Sequence, residues 1–161
     1  MHIVLVHPEI PPNTGNVART CAATGTPLHL IRPLGFSLDE RHLRRAGVDY
    51  WSMVEVYEHL TLQELWEAYP TGRFWYTSKK GRIAYSEVAY APDDFLVFGP
   101  ESVGLPDELI AAHPQQTLRL PMRPQARSLN LSNAVAILLY EALRQLDFPG
   151  LDRQWDPERD A

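Results

Sequence analysis

The sequence predicts an α/β fold, a mainly parallel sheet with helices on both faces. Three observations carry this. Short runs of strand length alternate with amphipathic stretches of helix length. Most of those runs are too apolar for a sheet wet on one face, as expected of strands buried on both sides. The intervening stretches stop at Gly or Pro, as crossover helices do. In such a sheet ligands gather at the carboxyl ends of the strands.

The first strand is HIVLVH, 2–7. The segment after it, PEIPPNTGNVAR, sets Pro11, Pro12, Asn13 and Gly15 in a rigid turn and opens a helix over 15–24 that Gly25 closes. Arg19 then falls in the first or second turn, facing back toward the strand end, where a guanidinium clamps a phosphate or carboxylate. The competing reading makes Asn13 and Thr14 plain caps and Arg19 a surface charge. A second strand, LHLIRP (28–33), leads to a helix over 39–46 closed by Gly47, and a weaker strand, MVEVY, covers 53–57. Next come a helix over 61–69 stopped by Pro70, the strand RFWYTS (73–78) and the strand FLVFGP (95–100). A helix over 106–113 stops at Pro114, LRLPM (118–122) is the last strand, and a helix over 130–146 ends near Pro149 and Gly150.

Two further loops carry polar residues where the fold class wants a ligand. In VFGPESVGLPDEL, Glu101 projects from a turn between Gly99 and Gly104, and Gly104 permits a close backbone approach. In ARSLNLSNAVAILLYEAL, Ser128, Asn130, Ser132 and Asn133 stand at the start of a helix that is apolar nearly all round, which sets them at a buried helix N-terminus. Capping explains one or two of them. Four within six residues point to a ligand at the helix start, and the all-round apolarity calls for cover on a second side, which a partner subunit supplies.

At 161 residues and 45% hydrophobic, the chain suits one domain, 1–150, with an acidic tail over 151–161. A formal charge of −5 argues against binding nucleic acid by net charge, so position matters: basic residues cluster as Arg41, Arg44, Arg45; Lys79, Lys80, Arg82; and Arg119, Arg123, Arg127. Lys79 and Lys80 are either RNA contacts or solvated charges. Cys21 is the only cysteine and reads as a small buried helix residue, with no disulfide. The apolar start is too short for a signal peptide or a membrane span, so a cytoplasmic location is expected. The six histidines are scattered without ligand spacing, and no metal is expected. No GxGxxG or GxxxxGK[ST] follows any strand, which excludes the common dinucleotide and P-loop readings.

Taken together, NTGNVAR, FGPESVGLP and RSLNLSNA resemble, in order, the three motifs of the SPOUT class of S-adenosylmethionine-dependent RNA 2′-O-methyltransferases. With PEIPPNTGNVAR, LRRAGVDYW, LPM and LNLSNAV added, the chain is most similar to the bacterial branch that methylates the wobble nucleotide of tRNA. The resemblance covers roughly residues 1 to 150. It implies an α/β domain whose C-terminal segment forms a trefoil knot, and a homodimer through the helix 130–146. It also implies S-adenosyl-L-methionine as cofactor, S-adenosyl-L-homocysteine as product, and C or modified U at position 34 of tRNA, expected in leucine isoacceptors, as substrate.

The implied cofactor contacts are Thr77, Gly99, Gly104, Leu120 and Ser128. The implied substrate-side and catalytic residues are Asn13, Arg19, Glu101, Ser128 and Asn130. Arg19 either takes the hydroxyl proton, as the family proposal has it, or clamps a phosphate, since a guanidinium holds its proton to a pKa of about 12 or above. Arg123, Gln125 and Ala126 match no family role. The alternatives are a ribosomal RNA 2′-O-methyltransferase of the same fold and a non-catalytic RNA-binding module.

Overall fold

A computed structural model describes residues 1–38 and 50–158, so the expected helix over 39–46, with Arg41, Arg44 and Arg45, lies outside the described residues. Along the chain run β1 (His2–Val6), α1 (Pro11–Thr24), β2 (Leu28–Ile31), β3 (Val56–His59), α2 (Leu62–Ala68) and β4 (Phe74–Thr77). There follow β5 (Ile83–Ala84), β6 (Phe95–Phe98), α3 (Asp107–Ala112), β7 (Thr117–Arg119) and α4 (Leu131–Gln145). The strands form one sheet in the order β3-β2-β1-β6-β4-β7-β5, with every neighbouring pair parallel.

The apolar runs mean what their composition implied. Successive side chains of a strand point to opposite faces, so a run buried throughout needs cover on both. Ile3, Leu5, Leu28, Leu30, Leu96 and Phe98 join Val17, Cys21, Leu138 and Leu139 of α1 and α4 in one core. Val4, Val6, Ile31, Phe95 and Val97 join Leu65 of α2 and Ile110 of α3 in the other. Cys21 is fully buried, and burial pushes its thiol up to about 12. Phe148 and Leu151 still pack on the first core, so packing reaches the start of the acidic tail.

Several boundaries move, each for a physical reason. Helix α1 begins at Pro11, four residues early, because a proline in the first turn gives up only N–H groups that a helix start leaves unpaired. Gly25, at φ 64°, closes it as expected. Strand β7 stops at Arg119, two residues before Pro121, which has no N–H to give a ladder. The weak strand expected over 53–57 shifts to Val56–His59 because an edge strand takes its place from pairing, here Val56 with Leu28 and His59 with Ile31. Met53, inside the expected strand, is left exposed.

Helix α4 is not apolar all round in its burial. Leu139 and Leu143 are in the core, whereas Asn133, Ile137, Tyr140 and Arg144, spaced by four, three and four, form an exposed stripe. Ile137 at 40% and Tyr140 at 47% exposure are the apolar surplus that the sequence showed. Among the described residues no helix is long and apolar enough to cross a membrane.

Candidate active-site cleft

The chain leaves β1 through α1 toward β2 on one side and leaves β6 through α3 toward β7 on the other. The carboxyl ends of β1 and β6 therefore flank the place where strand order reverses, which in an open α/β sheet makes a crevice. A cleft of about 1040 Å³ opens there. Asn13, Thr77, Gly99, Glu101, Gly104, Leu120, Ser128 and Asn130 all line it.

The three loops are tied to one another by side chains. Helix α1 has Ile10 at its cap position and no side-chain cap of its own. Glu101 makes up the lack from across the crevice: its carboxylate accepts from Glu9 N at 2.9 Å, Ile10 N at 3.1 Å and Asn13 Nδ2 at 3.1 Å. An anion at a helix start is also favoured by the helix dipole. Asn13 Oδ1 in turn accepts from Asn130 Nδ2 at 2.9 Å. Asn130 Oδ1 accepts from Ser132 N at 2.9 Å, which caps α4. A reciprocal link runs from Ser102 N and Oγ to the Glu9 carboxylate at 2.8 and 2.7 Å, and it holds that carboxyl below its ordinary value.

The glycines divide the work differently from the sequence expectation. A Cβ on Gly99 would lie 2.3 Å from Leu105 N and 2.4 Å from Gly104 C, so Gly99 permits the close approach, loop backbone against loop backbone. Gly104 contributes the left-handed turn, at φ 74°. Beside them Thr77 Oγ1, at the end of β4, is buried without a partner among the described residues. A buried hydroxyl left unpaired costs roughly 1–3 kcal/mol. On the wall of a cleft it is a ready contact for a polar ligand.

Two expectations of position are corrected. The start of α4 is not buried: residues 123–130 are exposed, because the chain after Pro121 runs along the rim and Asn130 caps the helix itself. Arg19 does not line the cleft. With α1 starting at Pro11, Arg19 falls in its third turn, exposed, with its guanidinium 4.9 Å from the centre of the Tyr50 ring. Asn13 and Thr14 lie inside the first turn and do not cap it.

The structure also supplies residues that the sequence reading passed over. His7 lines the cleft at the end of β1 with φ 49°, a left-handed conformation uncommon for a non-glycine and frequent near functional sites. Its only sequence signal is its place between a strand and Pro8. Away from the cleft, three histidines scattered in sequence come together through strand register. His2 Nδ1 and His29 Nε2 lie 3.0 Å apart, as do His29 Nδ1 and His59 Nε2, and burial pushes His29 down to about 3. Among the described residues no group of three His, Cys, Asp or Glu is placed to hold a metal ion.

The model of the SpoU rRNA Methylase family matches residues 1–140. The chain is 49% identical over 151 residues to the tRNA (cytidine(34)-2′-O)-methyltransferase of Escherichia coli K12, covering 93% of this chain and 96% of that protein. A solved structure described by the 2-OH methylation of C/U34 on tRNA superposes with a TM-score of 0.85 at 50% identity, covering 91% of this chain and 95% of that one. An AdoMet-bound rRNA methyltransferase from Sinorhizobium meliloti superposes with a TM-score of 0.78 at 26% identity, covering 90% of this chain but 56% of that one.

Proposed function

The chain belongs to the SpoU rRNA methylase family, and from that membership we infer that it is an S-adenosylmethionine-dependent transferase that methylates the 2′-hydroxyl of the wobble nucleotide, C or U at position 34 of tRNA. The observation that carries this reading is the convergence of three motif loops on one cleft through the Glu101, Asn13 and Asn130 hydrogen bonds. The relative named for tRNA is matched almost end to end, the ribosomal RNA enzyme over little more than half its length, which favours tRNA over ribosomal RNA. A tRNA substrate places the enzyme in the cytoplasm, and leucine isoacceptors remain the expected tRNAs.

The residues fit the cofactor: Thr77 offers a hydroxyl unpaired among the described residues, Leu120 an apolar wall, the Gly99 and Gly104 loop a rigid backbone edge, and Ser128 an exposed rim hydroxyl. Bound there, S-adenosylmethionine supplies an electrophilic methyl group on a sulfonium. Asn13, Glu101, Ser128 and Asn130 would hold the ribose and orient its 2′-hydroxyl toward that group. Such orientation is worth about 7–11 kcal/mol in well-aligned cases, and a carboxylate fixed by three hydrogen bonds is a stiff reference point for it. The C-terminal trefoil knot belongs to the same reading, supported by Asn130 reaching back to Asn13 after β7 has been laid beyond β4.

The working unit in this reading is a homodimer. Ile137 and Tyr140 give α4 an exposed apolar stripe that a second copy covers. Leu139 and Leu143 face the core, so substitutions that probe the interface belong on the stripe. Because α1 packs beside α4, a partner docked on the stripe also meets the α1 face that carries Asn16, Arg19 and Ala23, and Arg19 enters the mechanism through the partner's cleft.

The deciding assay is methyl transfer from labelled S-adenosylmethionine to tRNA, with the product located by mass spectrometry. Label on the ribose of nucleotide 34 is expected. Tight cofactor binding with no transfer to any tRNA would leave only a binding module. Ile137→Glu with Tyr140→Glu is expected to give an inactive monomer in sedimentation. Mixing Arg19→Ala with Asn130→Asp subunits is expected to restore activity that neither shows alone, and a failure to do so removes Arg19 from the partner's cleft.

A further inference from the structure

Among the described residues, the basic side chains of this acidic protein other than Arg19 fall into two groups. Arg32 pairs with Glu58 at 2.5 Å, Arg73 with Asp94 at 2.6 Å, Lys80 with Asp107 at 2.6 Å, Arg144 with Glu141 at 2.8 Å and Arg153 with Asp147 at 2.8 Å. Arg19 stacks on Tyr50. Besides Arg19, the cations with no acidic partner among the described residues are Lys79, Arg82, Arg119, Arg123 and Arg127, and these five lie in the segments 79–82 and 119–127.

Those segments are laced together. Ser78 N donates to Leu118 O at 3.0 Å, the Arg119 guanidinium donates to Lys79 O, and β5 pairs with β7 through Ile83 with Leu118 and Ala84 with Arg119. Gly81 lies so close to β7 that a Cβ there would be 2.7 Å from Leu118 C. Lys79 and Arg127 both line the cleft. On the same wall Lys80 neutralises Asp107, whose free carboxylate would repel an anion arriving there.

We propose that Lys79, Arg123 and Arg127, with Arg82 and Arg119 beside them, form a ledge that takes the backbone phosphates flanking the target nucleotide of the RNA. This rests on the tRNA reading above. A chain of net charge −5 attracts no polyanion as a whole, so phosphate contacts must be local, and among the described residues five cations without an acidic partner gather in these two laced segments, with Lys79 and Arg127 on the wall of the cleft. The ledge carries no sequence information. It sets the register of the strand, which fits phosphate contacts that position while other contacts specify. It also separates the two lysines that the sequence left equivalent: Lys79 meets the RNA, and Lys80 is committed to Asp107.

The test measures binding apart from turnover. Lys79→Gln, Arg123→Gln and Arg127→Gln are combined in the full chain, and tRNA affinity is titrated from low to moderate salt, with S-adenosylhomocysteine affinity measured on the same sample. Each lost contact to a single strand lowers the log–log salt slope by about 0.7, so the triple variant should lose about 2 from the slope. Its tRNA Kd should rise at least about tenfold, and its product affinity should stay within about twofold. Lys80→Gln with Asp107→Asn, which removes that ion pair together, should lose less than Lys79→Gln, and Arg153→Gln, in the tail, should lose nothing. An unchanged salt slope overturns the ledge. An equal loss of S-adenosylhomocysteine affinity also overturns it, because the cations would then serve the cofactor carboxylate. A wild type that binds tRNA without methylating it defeats the tRNA methyltransferase reading, while the same titrations still decide the ledge.

Discussion

Asp94, at the amino ends of β4 and β6, and Glu101, past the carboxyl end of β6, each gather several hydrogen bonds, but from different kinds of donor. Asp94 accepts from Arg73 Nε at 2.7 Å and Nη2 at 2.6 Å, from Trp75 Nε1 at 2.8 Å and from Ala91 N at 2.9 Å, and it is 2% exposed. Its charge is matched and its lone pairs are used. Glu101 accepts only from two backbone N–H groups and an amide, has no cation partner among the described residues, and faces a cleft. A buried charge that is paired and saturated can only hold structure together. One that is fixed in place but not neutralised keeps its field for something that enters, which fits the substrate-side role proposed for Glu101 at the opposite end of the sheet from Asp94.

The sharpest way to break this contrast is to remove each node and ask what is lost. Asp94→Ala strands the buried indole N–H of Trp75 and the Ala91 N–H and leaves the half-exposed Arg73 without its partner, so a loss of roughly 2–3 kcal/mol is expected. For a chain of this size that is a fall in Tm of roughly 5–10 °C. Cofactor affinity measured well below the new Tm should be unchanged. A fall of less than about 3 °C would show that the closed node is not what holds the strands. At the other end, Asn130→Asp keeps the cap acceptor of α4 but cannot donate to Asn13 and adds charge near Glu101. Turnover should drop about a hundredfold, or roughly 2.7 kcal/mol of barrier, with Tm within about 3 °C of wild type. Comparable loss of stability in this variant would merge the two nodes into one.

The contrast also separates what could be read in the sequence from what could not. The parallel sheet was legible because β1, β2 and β6 are buried on both faces and their runs say so. Eight of the nine expected site residues line one cleft because loops at carboxyl strand ends converge wherever strand order reverses. Arg19 was misplaced by a helix start four residues off, enough to move a side chain a full turn. The Asp94 node, the histidine row and the segregation of unpaired cations were illegible for a common reason: each depends on partners 19 to 40 residues away, fixed by register and not by any local period.

The histidine row yields the smallest effect and the one that locates acid sensitivity. His29 is fully buried between His2 and His59, stacked on Tyr57 and edge-on to Tyr69, with Glu55 and Asp93 acting on His2 and Glu64 on His59. Burial, the largest cause, with the neighbouring histidines added, lowers His29 from an ordinary value of 6.5 to about 3. The unfolded chain therefore takes up a proton near pH 6.5 that the native chain refuses until about pH 3. Its contribution is complete above 6.5 and is lost as the pH falls through that window, by about 1.4 kcal/mol per pH unit for a fully buried group. His2 and His59 are shifted in the same direction, which steepens the loss. Melting curves from pH 7.5 to 4.5 should show Tm falling from about pH 6.5 downward in wild type and more gently in His29→Gln, whose amide carries no titrating proton. Since the row lies on the face covered by α2 and away from the cleft, cofactor affinity at temperatures well below Tm should not follow the same curve. A Tm that stays flat to pH 5 would mean that the row admits protons when folded.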